Sequence, residues 1–361
     1  MKLHRFIFKE VLGKGAIVDD MKKCKTPVFL KKSDDEFLEN QAFEYLIVEP
    51  ENMLREPNGK ASSVILMFHG LNERTWDKYY SWAEYIANHT RKPVVLFPTA
   101  FHINRAPAEW SNPRAMQPFV ADQQNTEPKP SHLTFLNYAL SNRIKADPYR
   151  FYLAGRETIN NVCQLIGKIK KGTHKLIDSK ATIDIFAYSI GALMSQVILF
   201  ANPNNYFTKS KLFMFCGGSL FDQMDGESKM IMDRESFYSL LDYYKNKFLF
   251  FKSESRLKGD VLEMAFVSHI DYAINREERE SFYEEISHRI QAISLKKDKV
   301  IPTTGIKSAL GKIHLNCLEE LDFPFDYSHE NPFPPEGPKV SPVDRKFWFE
   351  KVFSKASAFL S

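Results

Sequence analysis

A serine sits at position 189 inside DIFAYSIGALMSQVIL, residues 184–199, where an apolar strand-forming run stops and a helical pattern begins at once. That strand–turn–helix setting is what a nucleophile elbow requires. The demand is steric. The turn is tight enough to strain the backbone of the serine, so the positions two before and two after it must be small. They are Ala187 and Gly191, and Ala192 further eases the approach of the helix to the sheet. The common pattern has glycine at the first of these positions; alanine departs from it but stays small. A serine in an ordinary βα turn is the bland alternative, and the flanking strand and helix favour the elbow.

A serine hydroxyl is a poor nucleophile until a neighbouring imidazole takes its proton. A carboxylate must in turn hold that imidazole in the right tautomer and stabilise the imidazolium. Upstream, Phe68-His69-Gly70-Leu71-Asn72 follows directly on the apolar run SVILMF at 63–68. With these residues the chain resembles the α/β-hydrolase superfamily, whose members carry a His-Gly pair at the end of this strand. The resemblance implies that the backbone N–H groups of Leu71 and Ile190 form an oxyanion hole, where two aimed donors meet the charge that develops on a carbonyl oxygen.

The superfamily order is serine, acid, histidine. Asp298, in KDKVIP at 297–302 after the run IQAISL, looks like the Asp-x-x-Val/Ile-Pro stretch on which this superfamily often places its acid. His329, in DYSHENP at 326–332, falls in the loop before the C-terminal helix, where the superfamily keeps its base. Asp298 capping a turn and His329 as an ordinary histidine remain as alternatives. Rival acids are Asp222, Asp225, Asp322 and Asp326; rival bases are His269 and His314, the latter inside an expected strand.

Further candidates for substrate contact are His69, Tyr188, Arg105, Trp110 and Arg114. His69 is expected to make a structural hydrogen bond, leaving the chemistry to the backbone beside it. Arg105 and Arg114 flank Trp110 in a connection of several tens of residues after the run PVVLF at 93–97, and such a pair suits an anionic group. The favoured alternative has both arginines paired with acids that hold a long loop in place.

These residues need a frame. Continuous apolar runs at 63–68, 93–97, 182–186 and 211–216 read as strands buried on both faces. Helical spacing recurs at 76–89, 160–171 and 190–200. Further strands are expected at 44–48, 290–295 and 312–315, and a last helix at 342–359. Strands alternating with helices predict an α/β protein. With the resemblance, this becomes an α/β-hydrolase fold: a mostly parallel central sheet flanked by helices, with a helical cap inserted late in the sheet. The expected division is 1–59 as an N-terminal extension and first strands, 60–218 as the first part of the core, 219–286 as the cap and 287–361 as the second part of the core. The tract FLFF at 248–251 is expected in the interior of the cap.

Bulk composition fits this reading and narrows it. Of 361 residues, 43% are hydrophobic and 26% charged, which argues against a disordered chain. The net charge of +4, from 49 basic and 45 acidic residues, is too dispersed to predict a nucleic-acid partner. The aromatic share of 14%, with 30 Phe, suits a Phe-rich core or an apolar pocket. No apolar stretch approaches the roughly 18 residues of a membrane helix, and the N-terminal apolar run is too short for a secretory signal. Cys24, Cys163, Cys216 and Cys317 lack metal-type spacing and read as reduced thiols. No metal or cofactor motif is present, so neither is expected.

The expectation is therefore a cytoplasmic serine hydrolase that cleaves a small-molecule carboxylic ester through an acyl-serine intermediate, with a homodimer as its candidate assembly. Amide or peptide hydrolysis on the same residues is the first alternative. A binding protein on a silenced hydrolase fold is the second.

Overall fold

The run at 63–68 is buried on both faces: Val64, Leu66 and Phe68 enter one hydrophobic core, while Ile65 and Met67 enter another. That two-sided burial explains the lack of polar alternation. The computed structural model describes residues 2–10, 34–126, 129–248 and 259–361. Within them an eight-stranded sheet is built from β1 (Lys2–Lys9), β2 (Ala42–Glu49), β3 (Ala61–Phe68), β4 (Val94–Leu96), β5 (Ile177–Tyr188), β6 (Leu212–Phe215), β7 (Ile290–Leu295) and β8 (Leu318–Leu321). Their order in space is β1-β2-β4-β3-β5-β6-β7-β8. The pairs β1–β2 and β2–β4 are antiparallel and the rest parallel.

The principal helices are α1 (Asp77–Thr90), α2 (Pro113–Gln124), α3 (Tyr138–Ala146), α4 (Tyr149–Lys170), α5 (Ile190–Ala201), α6 (Arg234–Asp242), α7 (Val261–Val267), α8 (Arg276–Glu285), α9 (Thr303–Leu310) and α10 (Pro342–Leu360). Trp82 and Ile86 of α1 and Phe353 and Leu360 of α10 cover one face of the sheet. Val162 and Ile166 of α4 with Leu193 and Val197 of α5 cover the other. Each such large side chain contributes about 1.5–3 kcal/mol by leaving water. This mostly parallel sheet between two helical layers is the α/β-hydrolase architecture expected from the sequence. Among the described residues no helix is long and apolar enough to cross a membrane.

Three elements differ from expectation. The strand placed at 312–315 is instead helical: Gly311–Ile313 forms a tight turn of helix and His314–Cys317 another. The alternation of Ile313 and Leu315 imitates a strand, yet Leu315 is 78% exposed. The true edge strand is β8, whose Leu321 lies opposite Leu295 of β7. Second, the connection after β4 is not one long loop. It holds α2, capped by the side chain of Asn112 accepting from the Arg114 N–H, then α3 and the early start of α4 behind Pro148. Pro118 inside α2 and the polar residues around it hide the helical period. Third, β1 is an edge strand at the very start of the 1–59 region, where the sequence reading bounds a strand only at 44–48. Lys2, Arg5 and Lys9 on it keep that edge charged, which discourages pairing with other chains.

Residues 219–286 hold α6, α7 and α8; this segment meets the connection after β4, where α3 packs on α6, and the helix after the elbow, where α5 packs on α7. Cys24 and residues 249–251 of the FLFF tract lie outside the described residues; Phe248 is fully buried among aromatic side chains, including Tyr152, Tyr244 and Phe266.

Candidate active site

The strand β5 delivers Ser189 into a left-handed conformation, φ 58° and ψ −127°, immediately before α5. A non-glycine residue rarely adopts such a backbone, and it persists only where the surroundings enforce it. The enforcement is close packing around the turn. A Cβ on Gly191 would lie 2.8 Å from the His69 carbonyl oxygen, and one on Gly217 would lie 2.6 Å from the Ser189 carbonyl oxygen. Gly70 is also close, with a Cβ there falling 3.3 Å from the Ser189 Cβ. The Ser189 N–H donates to the Phe215 carbonyl of β6 at 3.3 Å, and its own carbonyl accepts from the Ala192 N–H at 2.9 Å.

Loops after β7 and β8 bring two more side chains to this turn. His329 Nε2 is 2.6 Å from Ser189 Oγ, and His329 Nδ1 is 2.7 Å from Asp298 Oδ2. The second oxygen of Asp298 accepts from the N–H groups of Val300 and Ile301, each at 2.9 Å. The carboxylate thereby caps a turn and holds the histidine at once. All three side chains are buried. Since Asp298 can only accept when ionised, Nδ1 carries the proton and Nε2 is free to accept from the serine hydroxyl.

Two residues that the sequence reading assigned no part in this contact support it. Tyr188 stacks on the His329 ring at 5.5 Å with an interplanar angle of 15°, and its hydroxyl donates to the His329 carbonyl. It lies beneath the histidine and is fully buried, so it is not placed to touch substrate. Cys216 is buried next to Asp298; burial first, and then the neighbouring carboxylate, push its thiol well above the ordinary range. Nothing in the local sequence around Cys216 signals that neighbour.

The loop after β3 is braced through His69. Its Nε2 accepts from the Thr99 N–H at 3.0 Å, so the proton sits on Nδ1, which donates to the Gly70 carbonyl at 2.8 Å. Burial, followed by the neighbouring His102, keeps His69 well below the ordinary histidine range and hence neutral. The Gly70 N–H donates to the Tyr79 hydroxyl at 3.0 Å, which donates to Glu73 at 2.8 Å. A trans peptide points its N–H away from its carbonyl, so fixing the Gly70 carbonyl also fixes the direction of the Leu71 N–H. Ile190 opens α5, and the first N–H of a helix has no intrahelical acceptor.

Leu71, Ile190 and Gly191 line a largely apolar cavity together with Leu140, Ile144, Phe151, Met194 and Phe266. Ser189, His329 and Asp298 are not part of its wall; the cavity approaches them at Leu71 and Ile190. Asn72 closes the near side, its amide donating to the Leu136 carbonyl at 2.9 Å and the Met230 carbonyl at 2.6 Å. Most of the wall comes from residues 99–159, and the segment 219–286 supplies Leu262 and Phe266.

The remaining candidates disperse. Trp110 lines the cavity. Arg105 is fully buried and points into the protein: it donates to Asn40, Pro98, Asn161 and Glu157, the last at 2.7 Å. The pairing with an acid that holds the connection in place is therefore what Arg105 does. Arg114 is exposed on the first turn of α2 and does not reach the cavity wall. Neither arginine lines the cavity beside Trp110: Arg105 makes the favoured pairing with an acid, whereas Arg114 has no ion pair among the described residues. Among the rivals, His269 is a core residue between the Ala265 carbonyl and the Tyr283 hydroxyl. His314 binds the Gly311 carbonyl in the turn before β8. Asp222 lies beside Asp271 and Lys245, and Asp322 beside Lys296 and Lys297. The Asp225 carboxylate accepts from the Glu227 N–H, and Asp326 is exposed.

The chain belongs to a family of unknown function, DUF6051, over residues 16–361. No curated protein matches it. Among solved structures it is similar to the hyperthermophilic esterase from the archaeon Pyrobaculum calidifontis, at 10% identity and a TM-score of 0.44, over 88% of this chain and 80% of that one. A thermostable esterase from Pseudomonas putida ECU1011 is similar at 10% identity and a TM-score of 0.40, over 89% and 80%. A puromycin-hydrolyzing peptidase from Mycobacterium tuberculosis is similar at 11% identity and a TM-score of 0.42, over 88% of this chain and 37% of that one. The eight-stranded, mostly parallel sheet of this DUF6051 member, with helices on both faces, has the α/β-hydrolase fold.

Proposed function

We propose that this protein is a serine hydrolase that cleaves a carboxylic ester through an acyl-Ser189 intermediate. The reading is carried by one observation: a buried hydrogen-bond chain from Ser189 Oγ through His329 to Asp298, starting at a serine with positive φ. Ser189 Oγ attacks the ester carbonyl carbon while His329 Nε2 takes the hydroxyl proton. Asp298 stabilises the imidazolium. The carbonyl oxygen, now negative, accepts from the N–H groups of Leu71 and Ile190, an interaction worth about 2.7–4 kcal/mol per donor in comparable sites. His329 then gives its proton to the departing alkoxide, which leaves as the alcohol. Water, deprotonated by the same nitrogen, attacks the acyl carbon, and the proton returns to Ser189 Oγ.

The segment 219–286 is assigned as a cap that covers the site jointly with the connection after β4, on the strength of the α3–α6 packing and the Asn72 bridge to Met230. Excluding water from the cavity strengthens every dipole aimed into it. The free thiols Cys163, Cys216 and Cys317 suit the cytoplasm, where cysteines stay reduced.

Labelling with a fluorophosphonate probe, followed by peptide mapping, tests the nucleophile. Modification confined to the peptide around Ser189, and absent in Ser189→Ala, is the expected result. A folded wild-type protein that takes no label would sink the proposal.

A further inference from the structure

Four arginines line the cavity, Arg74, Arg143, Arg150 and Arg156, whereas Glu73 is the one acidic residue among its lining residues. Three of the four have an acidic partner. Arg143 and Arg150 share Asp34, and Arg150 also has Asp147 at 3.7 Å. Arg156 pairs with Asp260 and donates to the Tyr152 hydroxyl at 2.8 Å.

Arg74 is different. Among the described residues its guanidinium has no hydrogen-bond acceptor and no carboxylate at ion-pair distance. Glu73 attracts it through space. That carboxylate, however, is engaged by the Tyr79 hydroxyl at 2.8 Å and by Lys78. Arg74 is half-buried, and its burial lowers the guanidinium to about 10. A cation partly withdrawn from water without a counter-ion is unfavourable. Nearby in the same loop, Gly70 and Asn72 are held by hydrogen bonds. Apolar side chains of the same wall include Leu140, Ile144, Phe151, Ile159, Met194 and Phe266.

We propose that the cavity takes an ester whose apolar body carries a second, anionic group, a carboxylate, bound by the guanidinium of Arg74. A carboxylate matches the planar fork of arginine through two parallel hydrogen bonds and supplies the missing counter-ion. The proposal rests on Ser189 being the nucleophile for its chemistry, but not for its binding.

Two substrate pairs test it: p-nitrophenyl hemiglutarate against its methyl ester, with the charge on the acyl side, and 4-butyryloxybenzoate against its methyl ester, with the charge on the leaving group. Wild type should prefer the charged member in at least one pair. Arg74→Gln should reduce that charged-to-neutral ratio in kcat/KM by about ten- to a hundredfold, mainly through KM, and Arg74→Lys should restore part of it. Equal ratios in wild type and Arg74→Gln for both pairs would overturn the proposal.

Calorimetric titration of glutarate into Ser189→Ala, with and without Arg74→Gln, separates this outcome from failure of the hydrolase reading. If neither pair is turned over, the titration alone decides. Glutarate binding that requires Arg74 supports the site; binding that is absent, or indifferent to Arg74, removes it.

Discussion

The ring of His69 holds the carbonyl of Gly70 at 2.8 Å, and through that one peptide unit a buried, neutral histidine sets the direction of the Leu71 N–H. Removing the ring frees the peptide and leaves the Thr99 N–H without its acceptor. His69→Ala is expected to lower kcat by about a hundredfold, the scale of losing one oxyanion donor, with a smaller change in KM. Steady-state kinetics on a neutral p-nitrophenyl ester, beside a thermal unfolding curve, distinguishes this from general destabilisation. Unchanged kcat in a folded variant would count against the role.

Asp298 holds the proton on His329 Nδ1. In Asp298→Asn the amide offers a donor where the ring needs an acceptor, which favours the wrong tautomer and leaves Nε2 protonated against Ser189. The expected fall in kcat is about 10⁴-fold, the scale known for this exchange in another serine hydrolase. The overall structure should persist, because the side-chain oxygen can still accept from Val300 and Ile301. Circular dichroism with kinetics on the same preparation checks both halves.

The two small positions of the elbow are unequal. A Cβ on Gly191 would sit 2.8 Å from the His69 carbonyl oxygen and 2.9 Å from the Phe68 carbonyl carbon, both of them backbone atoms that cannot swing aside. Gly191→Ala is expected to cost about 1–3 kcal/mol of stability and most of the activity. Ala187, buried in β5, is already accommodated. Restoring the common glycine there, Ala187→Gly, should give no gain in activity and cost about 1 kcal/mol through backbone entropy. Chemical denaturation midpoints for the pair test the contrast; equal costs would refute it.

Stability should decline as pH falls from about 6.5 to about 4. Burial lowers His102, His174 and His269 to about 4 in the folded protein, and it holds His69 well below the ordinary range. Unfolded, these groups protonate near 6.5, so the unfolded state binds more protons in that interval and gains from acid. Glu157, raised to about 7, and Asp222, raised to about 6, both mainly by burial, work with the opposite sign, since the folded state holds their protons more tightly. The four histidines outnumber them. His269→Gln should reduce the proton uptake on unfolding by about one near pH 5, read from the pH slope of the denaturation free energy. A slope identical to wild type would refute this account.

Much of this arrangement is legible locally. The two-faced apolar runs mark β3, β5 and β6 because a central parallel strand has no wet side. The elbow is legible because steric crowding limits which residues can flank a serine with positive φ. The edges are less so. The run at 312–315 alternates like a strand and folds as helix, while β8, with Leu318, Glu319 and Glu320 only partly covered or exposed, carries too little apolar residue to announce itself. Edge strands need less burial, so they leave a weaker pattern.

The sequence by itself determined the central buried strands and the three loops that carry Ser189, Asp298 and His329, because strand burial and turn sterics act between near neighbours. Only the tertiary structure decided which side chains meet. Asp298 and His329 are brought to Ser189 by the pairing of β6, β7 and β8 beside β5, a relation between residues more than a hundred positions apart. Likewise Arg105 looked available in the sequence and is spent on Glu157, whereas Arg74, unremarked in HGLNERTW, is left facing the cavity without a partner. Charge can be read from a residue type, but neutralisation depends on which acid the fold sets within reach.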